Sequence, residues 1–256
     1  MQGNRKFRPD AHANPPLRLA VWSGPRNLST ALMRSFGSRA DTLVVDEPFY
    51  AHYLLATGLD HPGRAEVIGS QPNDWREVAA SLHAPMPPGI TVHYQKHMAH
   101  HLLPEMGREW LEGLTHAFLI RDPGDMLRSL DQKLQTIRIE DTGLPQQVEI
   151  FERMRLAAGI APPVIDADDL LDNPPGVLEA FCHRIGLDFD QAMLRWSPGL
   201  RSTDGVWAKY WYESVAASTG FSRWERKRTP LPPHLARLET EARELHARLH
   251  PYRARA

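Results

Sequence analysis

The chain has 256 residues, of which 42% are hydrophobic and 24% charged, with a formal net charge of −1. This balance implies a sizeable buried core in one large domain, and the lack of a clustered cationic half argues against a general nucleic-acid binder. Cys182 is the sole cysteine, which excludes an internal disulfide, and no stretch approaches the ~20 apolar residues of a membrane span.

Residues 1–16 are polar, contain proline and lack an apolar signal core. They are expected to form a loosely attached arm, which leaves 17–256 as a single domain and the cytoplasm as the default location. Strands are predicted at 17–22, 42–45, 91–94, 116–120 and 164–167, each short, apolar or β-branched and bounded by turn residues. Helical patterns occupy 29–38, 97–106, 123–134, 146–158 and 175–185 between and after them. Such alternation implies crossover connections and a parallel sheet covered on both faces, an α/β three-layer sandwich. Residues 62–88, rich in Gly, Pro and polar side chains, are expected to be an insertion carrying one helix at 75–82. A last helix is predicted at 235–249, and Cys182, in the apolar run 177–185, is expected to be a buried thiol.

Two strand-to-helix junctions carry chemistry. In the first, Ser23-Gly24-Pro25-Arg26-Asn27-Leu28-Ser29-Thr30 closes a strand and opens a helix. A turn of this kind aims free backbone N–H groups and the positive end of the helix dipole at one point, where an anion gains several donors without a metal. Gly24 is expected to let the backbone bend, Arg26 to supply a cation, and Ser29 and Thr30 to add hydroxyl donors. Read without a ligand, the same residues make an ordinary turn with a serine cap. Asn27 and Leu28 stand where a Walker A loop has glycine and lysine, and the G-x-G-x-x-G pattern is missing too.

The second junction is Ile120-Arg121-Asp122-Pro123-Gly124-Asp125, followed by Ser129. Asp122 is a good N-cap and Pro123 suits the first helical position. Arg121 lies at the carboxyl end of a strand, where open α/β sheets bind ligands. Ser129 falls roughly 9 Å along the helix axis from Pro123. An arginine and a hydroxyl converging here, beside the first junction, suit a ligand with two separated anionic groups.

With these residues in view the chain resembles the sulfotransferases. Pro25-Arg26-Asn27-Leu28-Ser29-Thr30 is similar to the family's P-[KR]-x-G-[ST]-[ST] loop, with Leu28 in place of the glycine, and Arg121 and Ser129 fit its R-x₇-S spacing. The wordings Ser-Gly-Pro-Arg-Asn and Asp-Glu-Pro-Phe-Tyr resemble a less studied bacterial branch and also occur in proteins labelled aminotransferase-like. The resemblance implies a P-loop NTPase-like topology and, as co-substrate, 3′-phosphoadenosine 5′-phosphosulfate (PAPS). It implies that Arg26, Asn27, Leu28, Ser29 and Thr30 hold the 5′-phosphate, that Arg121 and Ser129 hold the 3′-phosphate, and that no metal takes part. The acceptor would be a hydroxyl or amine of a small molecule or carbohydrate. The family's late R-K-G segment has no clean copy; Ser218-Thr219-Gly220-Phe221 and Arg226-Lys227 are the stand-ins.

Sulfuryl transfer asks for in-line positioning and for stabilised charge on the leaving oxygen, a role for Arg26, and for a base to take the acceptor's proton. Glu47, in Asp46-Glu47-Pro48, resembles the glutamate base of carbohydrate-type enzymes, and a neighbouring carboxylate raises its pKa. His97, after Lys96, partly resembles the histidine of a Lys-Thr-His segment. Both candidates stay open, with Glu47 placed first. The cluster of His93, His97, His100 and His101 lacks the H-E-x-x-H order of a zinc site, and Trp207, Tyr210, Trp211 and Tyr212 are assigned first to packing. A nucleotide-dependent phosphotransferase and a non-catalytic nucleotide-binding protein are the alternative functions.

Overall fold

The computed structural model describes residues 16–134, 136–222 and 230–255. Pro16 apart, the expected arm lies outside the described residues, as does the stand-in pair Arg226-Lys227. The strands are β1 (Leu17–Ser23), β2 (Thr42–Asp46), β3 (Val92–Met98), β4 (Thr115–Ile120) and β5 (Val164–Asp166). The helices are α1 (Ser29–Phe36), α2 (Tyr50–Thr57), α3 (Arg64–Ser70), α4 (Trp75–Leu82), α5 (Pro123–Asp131) and α6 (Leu144–Ala158). They continue as α7 (Ala167–Asp172), α8 (Pro174–Arg184), two single turns, α9 (Ala208–Trp211) and α10 (Glu213–Ala216), and α11 (Ala236–Leu249). Among the described residues no helix is long and apolar enough to cross a membrane.

The five strands form one parallel sheet in the order β2-β3-β1-β4-β5. Alternation along β1 divides the core. Leu19 and Val21 pack with Leu32 and Phe36 of α1 and with Phe181 and Cys182 of α8. Ala20 and Trp22 pack on the opposite face with Val78 of α4, Phe151 of α6 and Leu249 of α11. Burial on both faces is what a parallel sheet requires, and each fully buried large apolar side chain contributes about 1.5–3 kcal/mol. The expected three-layer α/β sandwich is what the chain forms, and Cys182 is buried in it.

The order places β1 at the centre, where connections leave to both sides, so the crevice for a ligand opens beyond its carboxyl end. The register sets the neighbours there: Ser23 pairs with Met98 of β3 and Leu119 of β4, and Asp46 of β2 pairs with Lys96.

Local signals work as written in several helices. The Asp122 carboxylate accepts from the Asp125 N–H at 3.1 Å with Pro123 in the first turn. Asp74 caps α4 and Asn173 caps α8 in the same manner. The segment 97–106 is corrected. It is no helix: β3 runs to Met98, followed by a 3-10 turn at Ala99–His101. Residues 92–98 are buried throughout although four of them are polar, because both faces of β3 are covered and β1 and β2 pair along its length. His97 and His101, four positions apart in that segment, therefore do not share a helix face. Residues 62–88 carry two helices, α3 and α4, and α2 forms where none was expected.

Candidate active site

The loop between β1 and α1 is tighter than a simple turn. Arg26 and Leu28 have φ of 63° and 66°, and Glu47, after β2, has 43°. These three are the non-glycine residues with positive φ among the described residues. Each such residue costs on the order of 1–3 kcal/mol, and strain of this kind persists where surrounding structure over-determines it, often at functional sites. All three were candidates on sequence grounds alone.

Leu28 occupies the cap position of α1 without a side-chain cap bond, and the first helical bond runs from the Leu32 N–H to the Leu28 carbonyl at 3.0 Å. The N–H groups of Ser29, Thr30 and Ala31 thus have no intrahelical acceptor and point out of the helix end. Gly24 serves otherwise than expected. Its backbone is not left-handed; a Cβ there would lie 2.2 Å from the Thr142 carbonyl oxygen, because the segment Ile139–Thr142 lies directly on the loop. Gly24→Ala is therefore expected to destabilise the fold by about 1–3 kcal/mol, as overpacking does, and to lower the thermal midpoint by roughly 2–4 °C per kcal/mol in a scanning calorimeter.

The two junctions meet. The Arg26 guanidinium donates from Nε to Ser129 Oγ at 2.9 Å, and Arg121 Nη1 donates to the Arg26 carbonyl at 2.7 Å. The arginine of the first junction thus holds the serine of the second, and the arginine of the second holds the backbone of the first. Burial lowers both arginine pKa values, and Arg26 adds its repulsion to that of Arg121, partly countered by Asp125 and Asp168. Both stay cationic, since arginine does not deprotonate in proteins. Asn27 is buried; its Nδ2 reaches the Leu119 carbonyl at 3.4 Å while Oδ1 has no partner among the described residues. The Ser29 hydroxyl lies 4.0 Å from the Met98 sulfur, and Thr30 is half-buried.

Glu47 follows β2 and lies in a buried ionic group. Lys96 Nζ donates to Glu47 Oε1 at 2.5 Å, to Asp46 Oδ1 at 2.8 Å and to the Tyr212 hydroxyl at 2.7 Å. That hydroxyl also accepts from Trp207 Nε1 at 3.2 Å and donates to Asp46 Oδ2 at 2.7 Å, which saturates it. The Gly205 N–H adds a bond to Asp46 Oδ2 at 3.2 Å. Burial raises the Glu47 pKa, Lys96 opposes this and the Asp46 carboxylate adds to it.

His97 has other surroundings. It is 1% exposed, stacks on Trp22 with ring centroids 4.4 Å apart, faces Phe49 and Trp110, and bonds Gln95 Oε1 through Nε2 at 3.2 Å. Burial, with His116 and His93 nearby, lowers its pKa to about 3. Neighbouring positions of one strand alternate between faces, so Lys96 meets Glu47 while His97 enters the aromatic core.

A sulfotransferase-domain family model matches residues 17–246, nearly the whole chain. The chain belongs to the sulfotransferase family. It is 39% identical over 201 residues to branched-chain-amino-acid aminotransferase-like protein 1 of Arabidopsis thaliana, covering 78% of this chain and 36% of that protein. It is 35% identical to the like-named protein 2, over 79% and 36%. The chain therefore spans about a third of the length of these relatives. Among solved structures, it shares the fold of the sulfotransferase domain from the Synechococcus PCC 7002 olefin synthase, with a TM-score of 0.54 and 17% identity over 95% of this chain and 98% of that one. The sulfotransferase domain from the curacin biosynthetic pathway gives 0.52 and 15% over 93% and 99%.

In this member of the family, Leu28 holds the left-handed backbone that glycine favours. Ser218 accepts from Trp196 Nε1 at 3.0 Å, Gly220 bridges Arg195, and Phe221 packs edge-on against Trp196, so that segment is tied to 195–196. Trp207 and Tyr212 are buried as expected of packing, whereas Trp211 is half-buried and Tyr210, at 40% exposure, is not core. Tyr212 also reaches the Glu47 group, which sequence reasoning missed together with Lys96 and Asp204. In the sequence Lys96 stands out only as the residue before His97 in the partial Lys-Thr-His resemblance, beyond the strand predicted at 91–94. No group of three or more His, Cys, Asp or Glu among the described residues is placed to hold a metal ion.

Proposed function

We propose that this sulfotransferase moves the sulfuryl group of PAPS to a hydroxyl or amine of a small-molecule or carbohydrate acceptor. What carries the reading is the Arg121–Arg26–Ser129 contact chain, which supports one cationic seat shared by the tips of β1 and β4. A buried guanidinium, Arg121, and a half-buried one, Arg26, beside an uncapped helix start suit a nucleotide with phosphate groups at both ends of its ribose.

In this reading the free N–H groups of α1, with Ser29 and Thr30, bind the 5′-phosphate, while Asn27 and Leu28 shape the loop that presents them. Arg26 stabilises the charge that grows on the bridging oxygen as the S–O bond to that phosphate breaks. Arg121 and Ser129 bind the 3′-phosphate. Glu47 takes the proton of the acceptor as its oxygen or nitrogen bonds to sulfur. Adenosine 3′,5′-bisphosphate is the product that departs. His97 is placed second to Glu47, since an imidazole titrating near pH 3 is a weak proton acceptor at neutral pH.

The test is calorimetric titration with adenosine 3′,5′-bisphosphate and with ATP, each with and without magnesium. Binding of the bisphosphate without magnesium is expected. Arg121→Ala should weaken it by roughly 10–100-fold, the value of one or two charge-assisted hydrogen bonds, whereas Arg26→Ala should reduce kcat by about 10²–10³-fold with a smaller change in affinity. Bisphosphate affinity untouched by Arg121→Ala would overturn the assignment. Magnesium-dependent ATP turnover would make the protein a phosphotransferase, and bisphosphate binding with no transfer to any acceptor would make it a binding protein.

A further inference from the structure

The Glu47 group is built asymmetrically, and the asymmetry assigns roles. Asp46 is held from three directions: by Lys96 on β3, by the Tyr212 hydroxyl and by the Gly205 N–H. Its side chain is 2% exposed and Lys96 is 1% exposed, while Glu47 keeps 11%. Glu47 takes Lys96 on Oε1, with the Tyr212 hydroxyl farther off at 3.4 Å, and its Oε2 has no hydrogen bond among the described residues. With 11% of the side chain exposed and Oε1 held by Lys96, Oε2 is the oxygen left to face the opening.

We infer that Lys96, locked by Asp46 and Tyr212, is a positioning residue for the base: it pins Oε1 of Glu47 and leaves Oε2 turned outward to receive the acceptor's proton. The inference rests on Glu47 being that base. An ammonium has three protons in tetrahedral directions, and each finds an acceptor from a different residue, which fixes Nζ and therefore Oε1. The main chain is tied in as well: the Glu47 N–H bonds the Lys96 carbonyl at 3.0 Å, which helps hold Glu47 in its left-handed conformation. The segment carrying Tyr212 is anchored in turn, since Asp204 pairs with Arg34 of α1. Through Gly205, which follows Asp204 and bonds Asp46, the ionic group is tied to the helix that follows the Gly24–Leu28 loop.

The titratable groups facing Glu47 are Asp46, Lys96, Tyr212 and Tyr50 of α2, and His101, stacked on Tyr50, is kept neutral by burial. Of these only Lys96 is a cation, so its removal must make Glu47 easier to protonate. The experiment is the pH profile of kcat/KM for the wild type, Lys96→Met and Tyr212→Phe, each with bisphosphate titration as a control for the fold. In Lys96→Met the acid limb is expected to rise by about one pH unit or more and kcat/KM at neutral pH to fall by at least about tenfold. Tyr212→Phe should move the limb the same way by roughly half a unit, since Asp46 and Lys96 both lose a partner. Bisphosphate affinity should stay within about twofold in both. In a Glu47→Gln background, Lys96→Met should cost little further activity, because residues that act through one another are not additive.

A limb that stays in place in a variant that binds the bisphosphate normally overturns the inference, and reduces Lys96 to a structural ion pair. If Lys96→Met does not fold, Tyr212→Phe decides by the same criterion. Full activity in Glu47→Gln would remove the base reading itself and this inference with it, so the two failures are told apart.

Discussion

Glu47→Gln is expected to lower kcat by roughly 10²–10⁴-fold, the usual contribution of a positioned general base, with bisphosphate affinity unchanged. The substitution keeps the shape of the side chain, and its amide oxygen can still accept from Lys96, so the fold is spared while proton-accepting capacity is lost. The wild-type pH profile carries the same signature. A base works when ionised, so activity rises as pH climbs through its pKa. Burial and Asp46 raise that pKa above the ordinary glutamate value, with Lys96 opposing them, and the acid limb should lie correspondingly high. His97, with its pKa lowered to about 3, is neutral across the whole working range and would give no limb there. Steady-state kinetics of Glu47→Gln and His97→Ala across pH separate the two. Retained turnover in Glu47→Gln combined with loss in His97→Ala would transfer the role to the histidine.

The largest effect on stability is expected from Asp204→Ala. Arg34 of α1 and Asp204 form an ion pair at 2.5 Å, with side chains 1% and 2% exposed. Removing one partner of such a pair leaves a buried, unpaired charge and costs about 3–5 kcal/mol, considerably more than deletion of a surface ion pair. At roughly 2–4 °C per kcal/mol, the thermal midpoint should fall by about 6–20 °C. The effect should extend to the site, because Gly205 follows immediately and bonds Asp46. A midpoint shift under about 2 °C would show that water reaches Arg34 once the carboxylate is gone. Replacing both partners by apolar residues should be far less costly than removing Asp204 alone, since no charge is then stranded.

The parts of the site legible in the sequence are those written in consecutive residues. The loop from Gly24 to Thr30 and the junction from Arg121 to Ser129 each declare a strand end, a helix start and a cation within a few positions. Asp122 and Pro123 signal a helix start because capping is a contact between near neighbours. Leu28 looked like a departure from the family loop, yet its backbone takes the glycine-favoured conformation, which a residue name does not reveal. Gly24 was identified as important for the wrong reason, since what requires it is a carbonyl oxygen more than a hundred positions further along the chain.

By itself, then, the amino-acid order determined the alternation of strands and helices, the two strand-to-helix junctions that carry Arg26 and Arg121, and the family. Tertiary structure alone decided that Lys96 faces Glu47 while its neighbour His97 is packed against Trp22, that Tyr212 joins the ionic group, and that Arg26 meets Ser129. The physical reason is the range of the contacts. A cap or a turn closes within about four residues and leaves a local pattern, whereas the pairing of β3 with β1 and β2, and the burial of charges that follows from it, joins segments whose separation carries no period to read. In β3 this pairing carried the strand through His97 and Met98, where the sequence pattern predicts a helix to begin.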